Sequence, residues 1–507
     1  MGPVLSRFGS LAPIAFLVIG SLPLSASGQF SGEAGTSGRG DALVETSSAF
    51  AAVVAERTNA RLDADLDALQ TFRPGYPFWR HVFMIPDGSI AFGSATGGEL
   101  LAVFPVRGDW NGSARWERPE LAAVIAGQRL ETGLTQRRDQ VAQMLEPKVG
   151  PVVHNATRGR FLLPNARRYG SFITAWSEIY ERFGVPPDVG LAQSILESGL
   201  NGRVRSEAGA LGFCQWMPGN WNKLKRLSPH EVEGYNQTTQ APFCAAYLSI
   251  LATKYGSFIP ALSEHHAGGT NVGRTLINGG RLGGREVREQ YLLGSEFARD
   301  VRMISLPRYR DVVRTYGPRS FLYAEMVFGN TYTVQMLRDE MPQEEIRAMR
   351  TSRAIPLDEI TRRTGLSADE VRRFNPALVR QVPRNATLYL PRQIDDFGKD
   401  VAFWHRPPGP EYLRVLGDFL ALDVPPEEWE EPAFEAVLRE FQRRFRATET
   451  EEGVVMATVL SYVMEETRTS GRREILADFR SSQEIESLFR LGVLEREASR
   501  STSWSER

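Results

Sequence analysis

Glu197 is a carboxylate whose position in the sequence suits acid catalysis. It lies near the end of an apolar stretch to which Leu191, Ile195 and Leu196 contribute, and a polar, glycine-rich loop follows it at once. A carboxyl group that loses water on folding holds its proton more tightly, so its pKa rises and it can act as a general acid near neutral pH. The sequence therefore predicts Glu197 at the end of a helix as a proton donor.

The side chains that follow Glu197 suit a sugar ligand. Short polar groups can orient the carboxyl or the loop, an amide can bond hydroxyl or acetamido groups, and a thioether offers a soft apolar wall. Gly209 and Gly212 permit backbone conformations that a Cβ would forbid. The candidate substrate-binding residues of this loop are Ser198, Asn201, Ser206, Gln215 and Met217.

The joint pattern is more specific than any single residue, because a lone glutamate on a helix is usually a solvated surface group. Glu-Ser-x-x-Asn, then Ser, then Gly-Ala-x-Gly-x-x-Gln-x-Met-Pro resembles the catalytic core of lytic transglycosylases of the soluble-lytic-transglycosylase and goose-lysozyme-like superfamily, especially the membrane-bound D type. The resemblance implies a lysozyme-like helical domain that cuts the β-1,4 bond between N-acetylmuramic acid and N-acetylglucosamine in peptidoglycan.

The resemblance also implies a mechanism with one carboxylate. Glycosidases usually need two, but in this family the muramic acid C6 hydroxyl attacks C1, and the product carries a 1,6-anhydro end. The single glutamate acts first as acid and then as base. Glu207 and Glu264, the candidates for a second carboxylate, occupy no position that we can assign to the sugar.

The chain departs from the family pattern at two histidines. Family members commonly have Ala-Tyr-Asn-Ala-Gly where this chain has His265 and His266 before Ala267 and Gly268, and Tyr247 lies in the preceding helix. The resemblance makes His265 the group that donates a hydrogen bond to Glu197, and it makes His266 and Tyr247 candidate substrate-binding residues. Because histidine also ionises near neutral pH, it could change the pKa of the glutamate.

Two alternatives to this function remain open. A binding or scaffold protein would keep the groove but lose turnover through the change at His265, and a muramidase would hydrolyse the same bond. The sequence has no paired His/Cys metal spacing, no Gly-x-Ser-x-Gly elbow and no phosphate-binding glycine loop. We therefore expect neither a metal nor a cofactor.

The two cysteines, Cys214 and Cys244, both fall in the predicted catalytic domain. In an exported protein they could form a disulfide that closes a loop of roughly 30 residues and contributes on the order of 3 kcal/mol. They could equally be two small buried side chains, since spacing does not fix the distance between their Cα atoms.

Residues 1–28 have the layout of a cleavable secretory signal, in which Arg7 precedes an apolar run and small residues. The alternative, a membrane anchor, would need a longer apolar run. The sequence predicts export to the periplasm or cell envelope and no stable membrane span after cleavage. The formal net charge is −1, so bulk electrostatics give no reason to expect nucleic acid as a partner. The expected partner is the peptidoglycan strand.

Periodicity and turn residues predict a mainly α protein of several parts. An N-terminal part, 29–150, starts with a flexible leader and has strands within 81–92 and at 100–105, then helices at 120–126 and 135–144. The lysozyme-like domain is expected at 151–330, with helices at 172–183, 186–196 and 241–255. Residues 394–507 are predicted to be a C-terminal helical region, with a disordered tail from Ala498.

Residues 345–393 resemble a LysM module, a small βααβ fold that binds glycans containing N-acetylglucosamine. Two short helices join at Gly365–Ser367, Asn375-Pro376 follows, and a strand is predicted at Ala386–Pro391. The usual Gly-Asp-Thr-Leu turn is missing from the opening segment, Arg350–Pro356. The alternative is a helical hairpin that only packs against the catalytic domain.

Overall fold

The computed structural model describes residues 37–229, 237–303, 320–394 and 407–505. The predicted signal peptide and residues 29–36 of the predicted leader lie outside the described residues. The chain divides into two compact units, 1–44 and 45–507. Every contact discussed below belongs to the second unit.

The N-terminal part contains five helices and a small antiparallel sheet among its described residues. The helices are α1 (Ser37–Phe72), α2 (Trp79–Met84), α3 (Trp110–Ser113), α4 (Ala122–Ile125) and α5 (Leu134–Val149), and the strands are β1 (Ser89–Ser94), β2 (Leu100–Pro105), β3 (Arg115–Trp116) and β4 (Val152–Ala156). Two sequence predictions need correction here. Residues 37–40 are helical and not a flexible leader, and residues 81–84 belong to α2 and not to a strand.

The sheet has the strand order β3-β2-β1-β4, and its two central strands, β1 and β2, are buried on both faces. Ile90 and Phe92 of β1 point into a core that also contains Leu145 of α5. Ala91, which points to the opposite face because side chains alternate along a strand, packs with Phe78 and Met326. The predicted strand 100–105 is confirmed, and the sheet attaches to the helical part through its second face.

The central part consists of helices. They are α6 (Leu162–Tyr169), α7 (Ile173–Glu181), α8 (Pro187–Ser198), α9 (Pro218–Leu227), α10 (Gln237–Tyr255), α11 (Phe258–Ala267), α12 (Gly269–Arg281), α13 (Val287–Met303) and α14 (Tyr323–Glu340). Short 3-10 turns lie at Tyr76–Phe78, Pro119–Leu121, Gly170–Phe172, Ser320–Leu322 and Glu428–Glu430. The three helices predicted in this part correspond to α7, α8 and α10. The expectation of a mainly α protein is confirmed.

The segment after α14 forms the predicted strand–helix–helix–strand order. Its elements are β5 (Ile346–Arg350), β6 (Ile355–Pro356), α15 (Leu357–Thr364), α16 (Ala368–Phe374), β7 (Gln381–Val382) and β8 (Thr387–Pro391). Strand β5 pairs antiparallel with β8, and β6 pairs with β7. Gly365 ends α15 at a φ of 72°, and Ser367 caps α16 in a reciprocal capping box with Glu370.

The C-terminal part is helical to the end of the described residues. Its helices are α17 (Pro410–Leu420), α18 (Glu435–Ala447), α19 (Glu451–Thr469), α20 (Arg472–Ser481) and α21 (Gln483–Ser505). The tail from Ala498 was predicted to be disordered. This prediction is wrong for residues 498–505, because α21 continues to Ser505. Within the described ranges, every helix is too short or too polar to cross a membrane.

Candidate active site

Helix α8 carries Glu197 at its last turn. Pro186 and Pro187 start the helix, where a missing N–H costs nothing, and Gly199 ends it in the left-handed region, with φ 56° and ψ 37°. The side chain of Asn165 donates a hydrogen bond of 2.8 Å to the Gly199 carbonyl. These local signals determine where α8 ends. At this position the Glu197 side chain is 13% exposed.

Tyr323 and His266 are the nearest polar partners of the Glu197 carboxylate. The Tyr323 hydroxyl donates a hydrogen bond to Glu197 Oε1, and His266 Nδ1 lies 3.8 Å from the same oxygen. The two rings stack, with centroids 4.4 Å apart and planes 8° apart. Gln193, one turn before Glu197 on α8, donates to the Tyr323 hydroxyl at 3.5 Å. The carboxylate is therefore held from α11 and α14 together.

The pKa of Glu197 corrects one expectation. Burial raises this pKa, as predicted, but the neighbouring His266 and the hydrogen bond from Tyr323 outweigh burial and lower the pKa below the ordinary glutamate value. In the free protein Glu197 is therefore ionised at neutral pH. Proton donation would require that a bound sugar first remove the remaining water from the open edge of the carboxyl.

The predicted hydrogen bond from His265 to Glu197 is not formed. Trp216 Nε1 donates to His265 Nδ1 at 3.2 Å, so the proton is on Nε2, which donates to the Cys214 carbonyl at 3.0 Å. Burial lowers the pKa of His265, although the charge of Glu197 opposes this shift. His265 is thus a neutral group that ties α11 to the loop before α9, and Tyr323 occupies the donor position that the sequence assigned to His265.

Ser198 and Asn201 make their hydrogen bonds within the α8 end and the loop. The buried Ser198 hydroxyl donates to the Ser194 carbonyl at 2.8 Å, and Asn201 Oδ1 accepts from the Arg203 amide at 3.0 Å. Ser198 therefore does not orient the Glu197 carboxyl, because its one proton bonds to its own helix. Asn201 shapes the turn that follows.

Ser206 and Gln215 close the glycine-rich loop. Ser206 Oγ accepts from the Ala210 amide at 2.9 Å, and Gln215 Nε2 donates to the Gly212 carbonyl at 2.7 Å. Gln215 adopts a φ of 50°, which is uncommon for a residue with a Cβ. Both side chains thus stabilise the loop, and a sugar would have to compete for the amide of Gln215.

Met217 and Tyr247 have different surroundings. Met217 precedes α9 and is 43% exposed, so it remains available to a ligand. Tyr247 lies in an aromatic cluster behind the loop, 5.1 Å from the Trp216 ring and 6.0 Å from that of Tyr462. We assign Tyr247 to packing because its ring is flanked by these two.

The two cysteines form a disulfide between the loop and α10. Cys214 and Cys244 have Cα atoms 6.6 Å apart, within the range that a bridge allows. The structure thereby decides between the two possibilities that spacing left open. The bridge anchors the loop one residue before Gln215.

Neither candidate for a second carboxylate joins Glu197. Glu207 is exposed on the loop. Glu264 is buried: burial would raise its pKa, but the charges of Arg472 and Lys254 and the hydrogen bond from Tyr255 lower the pKa to about 2. Arg472 Nη1 lies 2.6 Å from Glu264 Oε1. A carboxylate held this firmly by cations cannot serve as a proton donor.

Sequence reasoning missed Tyr323, Gln193 and Trp216. Tyr323 lies 126 residues after Glu197, in a segment whose pattern indicates only a helix. Among the described residues, no group of three His, Cys, Asp or Glu side chains could hold a metal ion. The chemistry that this arrangement offers is proton transfer by one carboxyl group with a phenol and an imidazole beside it.

The fold around Glu197 is helical, and its carboxyl group lies beside Tyr323 and His266. Residues 174–287, about a fifth of the chain, match the family model of the transglycosylase SLT domain. This match covers α8, α10 and α11, with Glu197 and both histidines, and it supports lytic transglycosylase activity on peptidoglycan. No curated protein matches the chain in sequence.

Proposed function

We propose that the protein is an exported lytic transglycosylase that cleaves the bond between N-acetylmuramic acid and N-acetylglucosamine and leaves 1,6-anhydro ends, with Glu197 as its one catalytic carboxyl group. The observation that carries the proposal is the setting of Glu197, whose carboxylate is 13% exposed and hydrogen-bonded by Tyr323. One edge is open to a sugar, and the rest is oriented by the fold.

The proposed reaction needs no water. The Glu197 carboxylic acid gives its proton to the glycosidic oxygen as the bond from that oxygen to C1 breaks. The C6 oxygen of the muramoyl unit bonds to C1, and the proton from its hydroxyl returns to the Glu197 carboxylate. The sugar that covers the open edge would raise the pKa of Glu197 by burial and so supply the acid form.

Two observations support a mechanism with one catalytic carboxylate rather than two. Glu264 is paired with Arg472 and Lys254, and Glu207 is an exposed loop residue. The binding-protein alternative assumed that turnover is lost because His265 replaces the family's hydrogen-bond donor to Glu197. Tyr323 donates this hydrogen bond, so the change at His265 no longer favours that alternative. Hydrolysis by a muramidase remains as an outcome of the test.

The test is the digestion of purified sacculi by the full chain and by Glu197→Gln, with Glu207→Gln as a matched carboxylate control. Glu197→Gln should lower the rate about 10²- to 10⁴-fold, since the amide cannot shuttle a proton. Glu207→Gln should cleave like the wild type. Mass analysis separates the products: anhydro ends support the proposal, reducing ends indicate a muramidase, and intact sacculi indicate a binder.

We further propose that residues 345–393 bind glycans weakly and keep the enzyme on its substrate. The βααβ order and the β5–β8 pairing support a LysM-like module, and a weak tethered binder acts through effective concentration. Hydrogen exchange on full-length Glu197→Gln with chitin oligosaccharides tests this proposal. Slower exchange at amides within 345–393 is expected, and protection of the catalytic groove alone would contradict it.

Export is the remaining part of the proposal, and it rests on the predicted signal at residues 1–28. Cell fractionation followed by N-terminal sequencing should find a periplasmic or envelope protein that begins near Gln29. A protein that keeps Met1 in the membrane fraction would contradict cleavage.

A further inference from the structure

His265 and His266 are neighbours in sequence but differ in the hydrogen bonds available to them. Both ring nitrogens of His265 are occupied, by Trp216 and by the Cys214 carbonyl. The His266 side chain is 37% exposed, and its Nδ1 lies 3.8 Å from Glu197 Oε1. Only His266 of this pair can therefore reach both the carboxylate and a bound sugar.

The fold fixes the position of the His266 ring. Its plane lies 8° from that of Tyr323 at a centroid distance of 4.4 Å, and α11 ends one residue later, before Gly268 at a φ of 81°. The Tyr323 hydroxyl is bonded to Glu197, so the stack and the hydrogen bond hold the three side chains in one group. A hydrogen bond in an apo site often shortens only when substrate binds, so 3.8 Å is compatible with transfer.

We propose that His266 is a catalytic proton relay between the attacking hydroxyl and Glu197. This inference rests on the proposed function and adds a step to it. After Glu197 has given its proton to the leaving oxygen, the His266 imidazole takes the proton of the C6 hydroxyl as the C6 oxygen bonds to C1. The imidazolium then passes a proton from Nδ1 to Glu197 Oε1. Both groups end neutral, and no water or other reactant is consumed.

The charges favour this route. At the moment of attack Glu197 is a carboxylate, and a positive charge on His266 forms next to it while the bound sugar covers the open edge of the site. An ion pair at this distance is worth several times more in such a site than in bulk water.

The experiment compares wild type, His266→Asn and His266→Ala on glycan oligosaccharides of defined length. His266→Asn keeps a polar side chain but cannot carry a proton, so kcat should fall about 10²-fold or more while KM changes little. His266→Ala should be slow as well, and added imidazole should restore part of its rate. Thermal melting checks that each variant is folded.

The outcomes separate this inference from the proposed function. Anhydro products from the wild type together with a His266→Asn rate within about threefold of wild type would overturn the relay alone, since that is far below the factor of an acid–base group. Failure of imidazole to raise the rate of folded His266→Ala would also overturn it. Intact sacculi after treatment with the wild type would overturn both the proposed function and the relay.

Discussion

The βααβ module and the C-terminal helices both follow the catalytic helices in the chain, but they are attached to them in different ways. Ile360, Val371 and Leu388 of the module form a core of their own. Tyr412 and Leu460 of the C-terminal helices share one core with Ile195 of α8. A position after the catalytic domain in sequence therefore does not decide whether a segment is an appended module or a part of the fold.

The contacts of the two regions differ in kind as well. The module meets the catalytic part through one face of its sheet, the Phe172–Phe374 ring contact at 4.9 Å and polar contacts such as the hydrogen bond that Arg203 Nε donates to the Pro376 carbonyl at 3.1 Å. The C-terminal helices bring Arg472 into the interior beside Glu264, and the Tyr462 ring stacks on Trp216 at 5.9 Å. Because Trp216 donates to His265, these helices help to position the active site.

The largest expected effect is from Arg472→Met. Arg472 is 10% exposed, and it lies 2.6 Å from both Glu264 and Glu430, which are buried as well. Removing the cation takes an ion-pair partner from each of two buried carboxylates, which should lower the free energy of unfolding by about 3–5 kcal/mol. Urea unfolding measures the loss.

The matched control is Arg473→Met, on the same helix. The Arg473–Glu431 pair is 2.8 Å long, but its side chains are 50% and 43% exposed. An exposed pair is worth about 0–1 kcal/mol. If both variants lost the same small amount, the C-terminal helices would be as loosely attached as the module.

The second prediction concerns the disulfide. Cys214 and Cys244 are 30 residues apart and bridge the loop to α10 within the shared core, whereas the module has no cysteine. The Cys214→Ser/Cys244→Ser double variant should lose about 3 kcal/mol in urea unfolding. Dithiothreitol should destabilise the wild type similarly and leave the double variant unchanged. An equal effect of dithiothreitol on both proteins would show that the bridge is not the cause.

The third prediction is a pH dependence of the shared core. Burial opposes ionisation of Glu264, but Arg472, Lys254 and Tyr255 lower its pKa to about 2. A carboxyl group with a lowered folded pKa contributes stability above its unfolded pKa and loses it as the pH falls toward the folded pKa. Glu264 should thus contribute about 3 kcal/mol at neutral pH, more than half of which is lost by about pH 3.

Glu264→Gln provides the comparison for this pH dependence. Because the amide does not titrate, the difference in unfolding free energy between wild type and variant should shrink between about pH 6 and about pH 3. A difference that stays constant over this range would contradict the assigned role of Glu264.

Local signals predicted the parts of the site that depend on neighbours in sequence. The prolines before α8, its apolar face and Gly199 place Glu197 at a helix end. The partner of Glu197 was not predictable in this way, because Tyr323 comes from a helix 126 residues away. The role of His265 was predicted wrongly for the same reason, since Trp216 and the Cys214 carbonyl occupy its nitrogens only once the loop has folded.

The same distinction applies to the fold. The turn at Gly365 and the cap at Ser367 are local, and the order of the module was predicted from them. Helices α17 to α21 were expected to be helical from composition, but no local pattern indicates that α17 to α19 share a core with α8. The burial of Glu264 was equally hidden, because its partner Arg472 lies 208 residues away.

The smallest expected effect tests the independence of the module core. Ile360 in α15 and Ile259 in α11 are both fully buried, one in the module core and one in the shared core. Ile→Val at either position removes one methylene and should cost about 0.5–1.5 kcal/mol.

Hydrogen exchange can then locate the loss of stability, because amides exchange through the cooperative unit to which they belong. Ile360→Val should speed exchange only within 346–391, and Ile259→Val should speed it in α8 and α19 together. Faster exchange in α8 on Ile360→Val would mean that the two cores unfold as one, and the contrast between module and C-terminal helices would then be one of contact type alone.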